Sequence, residues 1–221
     1  MRKPAVLIGL ALSVALGACA ADPTPTPKPA CPTAAPTSIE AQAILQDAAV
    51  ATITVSGGAS GAFEIELYGD AAPIATANFV NLARCGYYDD VTFHRVIAGF
   101  VIQAGDPQTR TNRGDFAGLG TGGPGYEFAI EPPADGYRYD PYVVAMANNG
   151  RANGGQFFID LVDLDEALRS VGVYTIFGEV ISGTEVVDAI AAVPVNDPRI
   201  GLPLTPVIID SIVVAAEVPD E

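Results

Sequence analysis

The stretch TFHRVIAGFVIQAGD, Thr92 to Asp106, holds the chain's single histidine and one of its eleven basic residues. It is rich in Val, Ile and Phe, as strands are, yet Arg95 and Gln103 interrupt the apolar pattern. Within a strand, Arg95 shares a face with Ile97, and Val101 shares one with Gln103. A two-residue turn at Ala98-Gly99 folds the second half back on the first. A guanidinium and an amide then lie close together, rimmed by Phe100 and Val101. Spacing alone fits a surface arginine beside a hydrogen-bonded glutamine as well. The chemical reading is a pocket with an apolar floor, one fixed cation and one amide, which suits a neutral substrate carrying a polarised amide.

Other chemistries lack their residues. One histidine, His94, cannot build a multi-His zinc site, and three cysteines without C-x-x-C spacing do not replace it, so no metal is expected. No Ser or Cys has a histidine partner outside this one stretch, which argues against a nucleophile triad. GLGTGG (118–123) matches G-x-G-x-x-G but follows no clear strand and runs into Pro124-Gly125, so it reads as a loop. DLVDLDE (160–166) lacks the spacing and central glycine of a calcium loop and reads as a solvated turn or helix start.

The elements that must position Arg95 and Gln103 are mostly short strands. ATITV (51–55) and AFEIELY (62–68) alternate apolar and polar around SGGASG. Further strands are expected at 92–97, 100–104, 142–147, 155–161, 174–180 and 205–218, with a Gly-rich loop over 105–125. Residues 72–86 read as a helix, with Pro73 in its first turn, Ile74, Phe79 and Leu82 on a buried face, and Gly86 as its stop. A second helix covers 183–193, with Thr184 as its cap. Many short strands and two helices predict a closed β-barrel or sandwich rather than a parallel α/β sheet.

The N-terminus reads as an export device. Met1-Arg2-Lys3 is basic, Ala5 to Leu16 is apolar, and LGAC (16–19) resembles the bacterial lipobox. Residues 1–18 are therefore expected to be a lipoprotein signal peptide, with Cys19 the lipidated residue of a protein anchored in the cell envelope and facing outward from the cytoplasmic membrane. Residues 20–36 contain six prolines and almost no large apolar side chain, so they are expected to form an extended stalk within a Pro-rich stalk or linker over 19–48. The folded domain spans 49–218. Without Arg2 and Lys3, nine basic residues face 26 acidic ones, which argues against nucleic acid as a partner and against electrostatic docking on anionic lipid. Cys31 and Cys85 could pair outside the cell, although one lies in the stalk and the other at a helix end, and the sequence leaves open whether they do.

Four segments carry a family resemblance. FHRVIAGFVIQAGD, GTGGPGYEF, MANNGRANGGQFFI and YTIFGEVISG, in that order between about Ala49 and Val214, resemble the cyclophilin family of peptidyl-prolyl cis–trans isomerases. The resemblance implies a closed eight-stranded antiparallel barrel, all-β, capped by two α-helices. It also implies a cofactor-independent, monomeric isomerase acting on Pro-containing polypeptides. Arg95 matches the arginine that hydrogen-bonds near the prolyl nitrogen and carbonyl, and Gln103 the glutamine that orients it. Phe100 and Phe158 match the aromatic walls of the proline pocket. Ala147, Asn148 and Gln156 match the peptide-binding strand and its neighbour, and His94 a structural histidine. Val101 stands where Met is commonest, Tyr174 where many members have His, and NNGRANGGQ is one residue short. No Trp exists to form the usual rim; Leu164 or Leu168 is expected in its place. A domain that holds Pro-containing segments as a chaperone with little turnover is the alternative.

Overall fold

The computed structural model describes residues 27–113 and 118–216. The signal peptide, Cys19 and the first part of the stalk lie outside them. Nine strands form one antiparallel sheet: β1 (Val50–Gly57), β2 (Gly61–Leu67), β3 (Arg95–Val96), β4 (Val101–Ala104), β5 (Phe128–Ala129), β6 (Val143–Asn148), β7 (Ala152–Asp160), β8 (Ile176–Ser182) and β9 (Val207–Ala215). Their order is β3-β4-β7-β6-β8-β2-β1-β9, with β5 alongside β7. The expectation of a closed eight-stranded barrel is corrected to an open, curled half-barrel. Its end strands do not pair as strands. Only the stretch before β3 reaches β9, through the isolated bridge Thr92–Ile208 and bonds such as Phe93 N–H to Val207 O (2.9 Å). With β3 two residues long, no ladder exists to close the seam.

Alternation within the strands gives the sheet two apolar faces. The inner one carries Ile53, Phe63, Ile102, Met146, Phe157, Ile159 and Phe177 in the main core. The helices α2 (Pro73–Arg84) and α4 (Thr184–Ala191) pack there through Phe79, Leu82, Val187 and Ile190. Pro73 opens α2, and Gly86 at φ +78° follows its end. The first free amides of α2, Ile74 and Ala75, donate to the distant carboxylate of Glu131 at 3.0 and 2.7 Å. Gly183 precedes α4 and no side chain caps it, so Thr184 is its first residue rather than its cap. The outer face carries Val101, Val143, Ala145, Phe158 and Ile176 in a second cluster, covered by Leu164 and Leu168 of the α3 segment (Asp165–Val171).

The linker arm ahead of the domain carries a short helix. Helix α1 (Ser38–Ile44) is set by a capping box. In it Glu40 N–H donates to Thr37 Oγ1 (3.3 Å) and Thr37 N–H to Glu40 Oε2 (2.8 Å). Ala41 is buried, and Leu45 packs against the main core. The question that the sequence left open is answered by a disulfide between Cys31 and Cys85, which are 54 positions apart. Residues 28–31 lie at the end of α2, where Lys28 pairs with Asp89, and so the two Cα atoms come to 5.0 Å. Closing so long a loop restricts the unfolded chain. Replacing both cysteines by serine should cost about 2 kcal/mol, at the low end for such a bridge because the arm can fray without the sheet opening. Faster hydrogen exchange over residues 37–47, with the strands still protected, checks this; unchanged exchange in the arm contradicts it.

Candidate active site

The pocket is built on the outer face by register. β3 and β4 form a hairpin closed by bonds from Phe100 N–H to Ile97 O and Ile97 N–H to Val101 O, both 2.9 Å. Gly99, at φ +70°, supplies the left-handed turn residue. The ladder sets Arg95 opposite Gln103, Gln103 opposite Phe158 of β7, and Phe158 opposite Ala145 of β6. Cation, amide and aromatic ring thus form one row across adjacent strands. The Arg95 guanidinium carbon lies 5.4 Å from the centroid of the Phe100 ring. Partial burial lowers the Arg95 pKa, yet a guanidinium stays protonated at any working pH. Among the described residues, no hydrogen bond or ion pair occupies its donors.

A pocket of about 230 Å³, room for one small residue, lies over this row. Val101 and Phe158 are its buried floor and wall, and Arg95, Phe100, Gln103, Ala147, Asn148 and Tyr174 surround them. Tyr174 stacks edge-on to Phe158 with ring centroids 5.4 Å apart. Tyr139 fixes it from below, its hydroxyl donating to Tyr174 O (2.7 Å) and accepting from Tyr174 N–H (3.1 Å). Of the two leucines expected in the rim, Leu168 lines the pocket, and Leu164 is buried in the cluster beneath.

Gln156 lies in an adjoining groove of about 590 Å³, which shares Gln103, Ala147 and Asn148 with the pocket and is walled by the glycine loop from Gly120. GLGTGG is therefore a wall, as its reading as a loop requires. Gln103 Nε2 donates to Gln156 Oε1 (2.9 Å), and Gln156 Nε2 donates to Gly122 O (2.8 Å). Asn148 Nδ2 donates to Val173 O (2.8 Å), tying the end of β6 to the segment before Tyr174.

His94 sits behind Arg95 and is 2 % exposed. Burial lowers its pKa to about 4, so it is neutral near pH 7, and neither ring nitrogen has a partner among the described residues. It does not line the pocket, and its Nε2 lies beside Gly120 of the glycine loop. Sequence reasoning missed Tyr139, and it read 160–166 as a solvated turn or helix start without extending it to the helix α3. The signal for the latter was present: Asp165 and Glu166 suit a first turn, and Leu164 and Leu168 lie four apart on one face.

Residues 50–214 match the family described as cyclophilin type peptidyl-prolyl cis-trans isomerase/CLD. Peptidyl-prolyl cis-trans isomerase B of Streptomyces anulatus is 44 % identical over 173 residues, which cover 70 % of this chain and 91 % of that protein. The protein of the same name from Bacillus subtilis is 43 % identical over 122 residues, covering 55 % of this chain and 78 % of that one. The crystal structure of a cyclophilin type peptidyl-prolyl cis-trans isomerase from Cryptosporidium parvum superposes with a TM-score of 0.64 at 31 % identity, covering 78 % of this chain and 99 % of that one. A second structure of that protein, in the presence of the dipeptide Ala-Pro, gives 0.63 at 31 % identity and covers 76 % and 99 %.

The chain belongs to the cyclophilin-type peptidyl-prolyl cis-trans isomerase family. It is an enzyme of that class.

Proposed function

We propose that the chain accelerates rotation about X-Pro bonds in exported polypeptides, with the prolyl ring seated on Val101 and Phe158 and Arg95 donating near the prolyl amide. The observation that carries this is the row of Arg95, Gln103 and Phe158 on three neighbouring strands, over a pocket the size of one small residue. The presence of Ala-Pro with the Cryptosporidium relative supports a prolyl occupant.

Resonance gives the X-Pro amide double-bond character and a rotation barrier of ~18–20 kcal/mol. A donor aimed at the prolyl nitrogen favours the pyramidal, non-resonant form, and so stabilises the twisted state above both planar ones. No covalent bond forms or breaks. Bringing an event of ~10–100 s to milliseconds takes a factor of about 10⁴–10⁵, or roughly 5.5–7 kcal/mol. A charge-assisted hydrogen bond, exclusion of water and the fit of the ring supply that together. Residues flanking the proline run through the adjoining groove past Gln156 and Asn148.

A protease-coupled assay of prolyl peptide isomerisation by the full chain tests this. Turnover above the uncatalysed rate is expected; turnover at that rate would instead favour a chaperone that holds Pro-containing segments. The missing Trp bears on inhibition. Leu168 offers less flat contact area than an indole and no N–H donor, so cyclosporin should bind about ten-fold more weakly than to a Trp-bearing cyclophilin. Nanomolar inhibition of turnover would overturn that expectation.

The LGAC sequence supports anchoring through lipid on Cys19. Several acyl chains hold a protein firmly where one does not. Among the described residues no helix is long and apolar enough to cross a membrane. Cys19→Ser should shift the protein from the membrane fraction to the soluble exported fraction or leave it unprocessed. Unchanged partitioning with unchanged mature mass would contradict the anchor.

A further inference from the structure

We propose that Asp106 is a positioning residue for Gln103, acting through the glycine loop and Gln156. This rests on the isomerase reading of the same pocket. Asp106 is fully buried, two residues beyond β4, and touches no part of the pocket itself. Its Oδ1 accepts from Gln108 N–H (2.9 Å), and its Oδ2 accepts from Gly120 N–H (2.6 Å) and Gly122 N–H (3.2 Å). One carboxylate thus gathers three backbone donors and pulls the loop against the domain. The approach is close enough to exclude any side chain: a Cβ on Gly122 would lie 2.2 Å from Asp106 Oδ1 and 2.9 Å from Gln108 Nε2.

The consequence is directional. With its N–H held by Asp106, Gly122 turns its carbonyl to Gln156, and a carbonyl oxygen can only accept. Gln156 must therefore present its NH₂ to Gly122 and its oxygen to Gln103. Gln103 in turn must spend its NH₂ on Gln156, which leaves its own carbonyl oxygen as the free end of the relay, opposite Arg95. An amide is symmetric enough to flip when nothing fixes its polarity. If Gly122 moves away, both glutamines can turn over, and Gln103 then offers a donor to a guanidinium that has only donors. The buried carboxylate thus decides which end of Gln103 the pocket sees.

Asp106→Asn tests this, because an amide in place of the carboxylate sets NH₂ against at least one of the three N–H groups. In the full chain it should lower kcat/KM about ten-fold in the prolyl peptide assay, yet less than about two-fold in a Gln103→Ala background, since no orientation remains to lose. Gly122→Ala disturbs the same link without removing the buried charge, and should show the same dependence if Asp106→Asn does not fold. Losses that multiply with that of Gln103→Ala, or variants as active as the parent, would overturn the proposal. Side-chain amide NMR reads the relay without turnover, and so separates this proposal from the isomerase reading. Slowly exchanging NH₂ signals of Gln103 and Gln156 should be lost together in Asp106→Asn. Their persistence would overturn the proposal whether or not the parent turns over.

Discussion

Arg95→Ala should lower kcat/KM by about ten- to a hundred-fold while the sheet stays folded. The guanidinium projects from a two-residue strand at the end of the sheet path, where it anchors no core packing, so its removal leaves the main core intact. In the proposed mechanism, what it removes is a charge-assisted hydrogen bond to the twisted amide. Such bonds are worth about 1.5–3 kcal/mol, which is the stated factor in rate. Arg95→Lys should recover little, because an ammonium lacks the planar fork that rests against Phe100. No titration of Arg95 enters between pH 5 and 9, so the ratio of parent to variant should be flat over that range. A variant with parental kcat/KM would remove Arg95 from the mechanism.

The second large effect concerns stability. Asp160 lies opposite the pocket-floor residue Val101, with 0 % exposure and no partner for either carboxylate oxygen among the described residues. Burial, and then the nearby charge of Asp140, raises its pKa from 3.8 to about 8. An acid with a raised native pKa binds its proton more tightly folded than unfolded, so it imposes no penalty below the unfolded value. Stability should then fall as pH rises from about 4 towards 8, and level off above. The whole shift corresponds to about 6 kcal/mol, and relaxation around a charged carboxylate brings the realised loss to about 2–4 kcal/mol. Asp160→Asn stays neutral and should lack this slope, so that denaturant unfolding at pH 5 and pH 8.5 shows the variant gaining on the parent at the higher pH. Parallel pH profiles would show that Asp160 is already ionised, or solvated, in the native state.

Much of this site was legible because its signals are local. The Ala98-Gly99 turn and the two-residue alternation place Arg95 and Gln103 together without knowledge of the rest of the sheet. Helix α2 is legible for the same reason, with proline at its start and glycine after its end. Features set by distant partners were not. Sheet closure depends on whether residues 91–93 pair with β9, more than a hundred positions away, and the pattern of VTF says strand without saying how much of a ladder it makes. The Cys31–Cys85 bridge needs the proline-rich stretch to lie against α2, and low hydrophobicity there suggests only extension. Asp106 and Tyr139 look like ordinary loop residues in sequence, because what they hold, Gly122 and Tyr174, lies 16 and 35 positions further on.

The bridge between Cys31 and Cys85 also decides where a mechanical load enters the molecule. A pull on the chain upstream of residue 31 passes across the sulfur–sulfur bond directly to the end of α2. Residues 32–84, which include α1, β1, β2 and all of α2, sit inside the covalent loop and carry no tension. Without the bridge the same force would run through α1 into β1, an interior strand of the sheet, and peel it from β2 and β9 one hydrogen bond at a time. A domain held at its N-terminus can thus be tugged by a bound polypeptide without the strain reaching the first two strands of its sheet.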